Sequence, residues 1–137
     1  VRKTADETVN NSTTVQNDDE LLLAIAANEI WAVTALIKNS SSAVADFKLK
    51  FALPGGAVGW AFLAGETTTQ AAYFSISDPN VGWATAGYAT GHFLYVAMLI
   101  VNGATAGNIQ LQWAQNTAEV SDTKVLAGSC LVATKIA

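Results

Sequence analysis

Between Asp46 and Leu53 the side chains alternate in character at every step. Phe47, Leu49, Phe51 and Leu53 share one face, and Asp46, Lys48, Lys50 and Ala52 share the other. A period of two over this length is the mark of a strand with one buried and one wet face. Ile109–Gln115 repeats the pattern, with Ile109, Leu111 and Trp113 set against Gln110, Gln112 and Ala114. Two other segments, Ile30–Lys38 and Phe93–Val101, are apolar at nearly every position, so both of their faces need cover. Leu21–Ala26, Val58–Leu63, Gln70–Ile76, Lys124–Ala127 and Cys130–Ile136 complete the predicted strands. Gly82–Gly91 reads either as a bulged strand or as a loop. Turn chemistry separates them: Asn17–Glu20, Asn39–Ser42, Pro54-Gly55-Gly56, Gly65-Glu66-Thr67, Asp78-Pro79-Asn80 and Asn102-Gly103, with a bulge or kink at Gly128-Ser129.

Eight to ten short strands without a long amphipathic helix predict an all-β fold, an antiparallel β-sandwich, jelly-roll-like in the closest reading. Val1–Asn17 is polar and weakly periodic, and is expected as an extended N-terminal arm or a late-ordering edge strand. The expected organisation is therefore an arm over residues 1–17 and one sandwich domain over residues 18–137. With 137 residues and a mass of 14.3 kDa, a single domain can bury a full core without staples.

Charge sharpens this picture. The net charge is −4, and from Phe51 to Ala118 the only charged residues are Glu66 and Asp78. Average domains are about 25 % charged. No apolar run approaches the roughly 20 residues of a membrane-spanning helix, so no membrane partner is expected. Clustered cations are missing, which argues against nucleic acid. A neutral stretch of this length is explained if sister molecules cover much of the surface, which predicts an assembly subunit.

Candidate chemistry is sparse. His92, the single histidine, has no nucleophile or carboxylate near it in sequence and is expected to be structural. Cys130 lies in an apolar strand without a neighbouring cation, so an inert thiol is expected. Asp18, Asp19 and Glu20 lack the spacing of a calcium loop. The glycines after Pro54 lack the Lys-Ser/Thr of a phosphate loop. Asn11-Ser12-Thr13 and Asn39-Ser40-Ser41 match the glycosylation pattern without a secretory signal. No enzyme activity, cofactor or metal is expected. The aromatics Trp31, Trp60, Trp83, Trp113, Tyr73, Tyr88 and Tyr95 are read as core first, subunit interface second and sugar platform third. Expected interface residues are Arg2, Lys3, Val9 and Val15 on the arm, with Trp60, Trp83 and Tyr88 on the body, Trp83 foremost because glycines surround it.

The opening Arg2-Lys3-Thr4-Ala5-Asp6-Glu7-Thr8-Val9-Asn10-Asn11-Ser12-Thr13-Thr14, with Asn17-Asp18-Asp19-Glu20-Leu21, resembles the start of a family of small tailed-bacteriophage virion proteins. Asn102-Gly103-Ala104-Thr105-Ala106-Gly107, Leu111-Gln112-Trp113-Ala114-Gln115-Asn116 and Lys124-Val125-Leu126-Ala127-Gly128-Ser129 resemble that family's C-terminal half. The likeness covers the two ends of the chain and little of the middle. It implies a β-rich virion module on capsid surfaces or tails, trimeric, whose partners are its own copies and, on the head, the major capsid protein. A valine that follows a removed initiator methionine, with no fibre shaft attached, fits a capsid decoration (cement) protein better than a tail-fibre tip. In that role the arm is expected to reach a neighbouring subunit or the shell. The alternative is a tail, fibre or baseplate module that recognises a host-surface glycan.

Overall fold

In the computed structural model, which describes residues 1–66, 71–76 and 78–137, the chain is all-β, with no helix among those residues. Eleven strands follow in order: β1 (Glu7–Val9), β2 (Gln16–Ile25), β3 (Ile30–Ser40), β4 (Phe47–Ala52), β5 (Val58–Glu66), β6 (Ala71–Ile76), β7 (Trp83–Thr85), β8 (His92–Val101), β9 (Gly107–Gln115), β10 (Thr123–Val125) and β11 (Cys130–Lys135). They form two antiparallel sheets packed as a sandwich. One has the order β1-β10-β3-β8-β5-β6, with β11 also on β3; the other is β2-β9-β4-β7. Gln70 and Thr67, the expected first residue of one strand and last residue of one turn, lie outside the described residues.

The alternation read from sequence sets the core. Phe47, Leu49 and Phe51 on β4 meet Ile109, Leu111 and Trp113 on β9, all with no exposed surface. From the larger sheet Ala35, Ile37, Leu94, Val96 and Ile100 face them, equally buried. Each large apolar side chain removed from water in this way stabilises the fold by about 1.5–3 kcal/mol. Phe47 stacks on Trp113 at 5.9 Å between ring centroids, and Phe51 packs tilted on Trp83 at 6.5 Å.

One local feature differs from the expectations, one open alternative is resolved, and the expected break at Gly128-Ser129 is present. The acidic segment Asn17–Glu20 is no turn. It lies within β2, where the register against β9 shifts between Asn17 and Leu22. The Asp18 carboxylate holds that bulge together by accepting the N–H groups of Glu20 and Leu21 through Oδ1, at 3.0 and 2.8 Å. Gly82–Gly91 resolves into the three-residue strand β7 and a loop. Gly128, at φ +90°, breaks the last strand in two, so β10 and β11 lie end to end along the same edge of β3.

Residues 1–17 are laid against their own body. Val1 and Leu131 exchange two backbone hydrogen bonds, and the N–H of Lys3 donates to Ser129. Arg2 forms a bridge to Cys130, and β1 adds to the sheet edge at β10.

Candidate functional site

The sandwich presents two unlike outer faces. On the smaller sheet the outward face carries Lys48 and Lys50 on β4, in register with Ala114 and Gln112 on β9, though Ala114 is buried and not exposed as its alternation suggests. The amides there are tied down, with Gln112 Nε2 donating to Asn17 Oδ1 at 2.7 Å and Gln110 Nε2 to the Asp18 carbonyl at 2.9 Å. Lysine and glutamine on a solvated sheet face are the ordinary arrangement.

On the larger sheet the inward set of each strand is buried, and the opposite set is apolar too. Outward from β5 point Val58, Trp60 and Phe62; outward from β8 point Phe93, Tyr95, Ala97 and Leu99. Pairing aligns them into rows: Trp60 beside Leu99 beside Ala32, Phe62 beside Ala97 beside Thr34, and Tyr95 beside Leu36 beside Cys130. Val132 on β11 extends the second of these rows. Trp60 is 52 % exposed and Phe93 equally so. Among the outward residues of β5, β8, β3 and β11 whose side chains are described, Lys38 at one margin is the only charged one, and Glu66, the last residue of β5, falls on the same alternation as Trp60 and Phe62. Ordinary monomers carry patches of about 300–600 Å² at most, and scattered surface leucines need no explanation. Rows of aromatic and aliphatic side chains across four strands do.

The expected interface residues divide. Trp60 lies on this face. Trp83, ranked foremost from sequence, is only 8 % exposed and belongs to the core against Phe51. The glycines on either side of it gave a false signal, because β7 pairs with β4 and turns the indole inward. Val9 and Lys3 are also buried, Val15 and Tyr88 are half-buried, and Arg2 is exposed. Tyr88 stacks on His92 at 4.5 Å. Tyr73 lies among residues whose side chains are not described. Phe62, Phe93, Tyr95 and Leu99 lie on Val58–Leu63 and Phe93–Val101, neutral strands that sequence already marks for cover by other protomers, whereas Leu36 and Val132 were missed. For Leu36 the signal was present: β3 is apolar on both sides, and only one side can be sandwich interior.

Lys3 carries the most constrained charge. Its ammonium lies 2.7 Å from Glu7 Oε2 and 3.0 Å from Asp18, and both Lys3 and Asp18 are about 1 % exposed. Burial works to lower the Lys3 pKa, but hydrogen bonds to Glu7 and Asp18 outweigh it, so the pKa stands above the ordinary 10.5. Near the chain's other end, Glu29 is held down to about 2 by Lys135, the N–H of Ala26 and the Trp31 indole. Ser121 and Ser42 lower the Glu119 carboxyl, and Lys124 with Asn10 lowers Asp122. All of these are pairings that fasten segments together.

Two clefts flank the end of β3, one of about 210 Å³ by Ser41, Ser121 and Asp122, and one of about 300 Å³ by Lys38, His92 and Leu126. Among the described residues no three His, Cys, Asp or Glu are grouped to hold a metal ion, and no helix is long and apolar enough to cross a membrane. No family model, curated protein or solved structure matches the chain.

Proposed function

We propose that this chain is a structural subunit of a tailed-bacteriophage virion, a decoration (cement) protein that binds the outer head surface beside the major capsid protein and stabilises the shell. The observation that carries the assembly role is the broad apolar face on β5, β8, β3 and β11, almost without charge, on a chain that carries eighteen charged side chains in all. Resemblance of both chain ends to phage virion proteins supplies the virion location. The strand order β2-β9-β4-β7 facing β3-β8-β5-β6 supports reading the sandwich as a jelly roll.

The mechanism is linkage. A protein that binds only the assembled shell stabilises it by about 2.7 kcal/mol per site at a hundredfold excess over its dissociation constant. Quantitative mass spectrometry of purified particles tests the location. Decoration requires a copy number of the same order as the major capsid protein; a handful of copies refutes it.

One observation favours the glycan-binding alternative: Trp60, Phe93 and Tyr95 are exposed on one sheet face. That reading loses Trp83 to the core. It predicts affinity for host-surface polysaccharide that disappears in Trp60→Ala.

A further inference from the structure

We infer that the outer face of β5, β8 and β3 docks on the same face of a second copy of this chain, so that the elementary self-contact is two-fold. The inference rests on the assembly reading above and puts a two-fold contact in place of the trimer that the resemblance implies.

Size is the first argument. At roughly 150–250 Å² per aromatic residue, Trp60, Phe62, Phe93 and Tyr95, which are 39–52 % exposed, together offer about 300–450 Å². Val58, Leu99 and Val132 are 41–59 % exposed on the same face. With the half-buried Leu36, Ala97 and Val101 the total approaches the roughly 800 Å² per partner of a standard interface. A face of that size suits a whole folded domain.

Charge selects the kind of partner. A basic or acidic protein would be matched by a cluster of opposite charges, and the described side chains of this face offer only Lys38 at its margin, with Glu66 at the far end of β5. Two copies of a chain with net charge −4 repel each other unless they meet where the acidic residues are absent. The rows of Trp60, Phe62, Ala97 and Leu99 at the centre of this face are such a place.

Symmetry follows from the lack of a second patch. A cyclic trimer sets one patch against a different one, whereas a two-fold contact sets a patch against itself. Among the described residues, Val44, Val81 and Val120, the exposed apolar residues of the connections, sit singly between strands. Val1 and Ile136 at the chain ends are the remaining exposed ones, so among the described residues no other extended apolar surface is there to receive this face except its own copy. The relief also suits self-packing: Ala97, Thr34 and Ala32 form low ground beside Trp60 and Phe62, and facing sheets at about 10 Å need such interdigitation.

The experiment is sedimentation velocity on the full chain, with Ala97→Glu, Ala97→Lys and their equimolar mixture. A particle of about twice the 14.3 kDa chain mass is expected. Ala97 lies near the middle of the face, so a two-fold axis brings both copies of that position together. Each variant alone should then dissociate at least tenfold more readily, and the mixture should recover the dimer. Circular dichroism checks that the variants fold. Val132→Glu, at a 59 % exposed position, gives the same readout if Ala97 variants do not. A monomer at every concentration overturns the two-fold contact. So does a trimer, or a dimer indifferent to Ala97→Glu and Val132→Glu. A trimer broken by these substitutions but not restored by mixing overturns the two-fold contact and leaves the decoration role standing. Copy number in the particle judges that role separately.

Discussion

Replacing Lys3 with methionine asks how firmly the N-terminal segment is fastened. Methionine keeps much of the apolar stem and removes the ammonium. That leaves the Asp18 carboxylate, which has essentially no accessible surface, without its cation. Breaking a buried pair from one side costs about 3–5 kcal/mol, because the remaining charge is uncompensated. Asp18 keeps the N–H groups of Glu20 and Leu21, so the lower end, about 3 kcal/mol, is expected. Domains of this size are stable by about 5–15 kcal/mol in all. The double variant Lys3→Met/Asp18→Asn keeps an acceptor for those N–H groups without a stranded charge, and should recover about 1–2 kcal/mol of the loss. Equilibrium unfolding in urea, followed by tryptophan fluorescence, reads both. Because the folded pKa of Lys3 is raised, its contribution is complete below pH 10.5 and is lost as pH rises through the higher folded value. Lys3→Met should therefore flatten the alkaline limb of the stability profile. A cost below about 1 kcal/mol, with no change in that limb, would refute the buried-pair reasoning. It would also restore the picture of residues 1–17 as a loose arm.

Three further outcomes follow from single contacts. Glu29, with a folded pKa of about 2 against an ordinary 4.5, contributes stability above pH 4.5 that is lost as pH falls toward 2. The difference in melting temperature between wild type and Glu29→Gln should shrink across that window, and a constant difference would exclude the Lys135 pairing as its cause. Gly87→Ala puts a Cβ 1.8 Å from the backbone carbonyl of Ser42 and disturbs the hydrogen bond from Gly87 N–H to Asp46. Since backbone cannot swing aside, the cost should reach or exceed about 3 kcal/mol, seen as a lowered urea midpoint or failure to fold. Asn39 is fully buried with neither amide atom hydrogen-bonded to another described residue. Asn39→Leu should therefore stabilise the protein by about 1–3 kcal/mol, and destabilisation in the same urea experiment would show that the amide has a partner.

The pairing of β10 and β11 with one strand explains why the chain's two ends are coupled. Val1–Lys3 lies along β11, and β1 lies along β10. Deleting residues 1–17 would therefore uncover both strands and strand Asp18 as well. The Lys3 substitution is the cleaner probe.

Alternation alone determined β4 and β9, because their polar faces leave a single way to turn them. Proline, glycine and asparagine marked where strands stop, and Gly128 broke the last one where its positive φ is needed. Scarce charge in the middle of the chain is matched by the apolar outer face of β5 and β8. Period two, however, says which residues share a face and not which face is inside. For β3 and β8, apolar on both sides, only the second sheet decides: it covers Val33, Ile37 and Leu94 and leaves Leu36, Phe93 and Leu99 outward. The same holds for Trp83, drawn inward by pairing with β4, and for Lys3 and Asp18, fifteen residues apart and joined in the interior. Burial is a property of the whole packing, and no local window of sequence contains the partner that creates it.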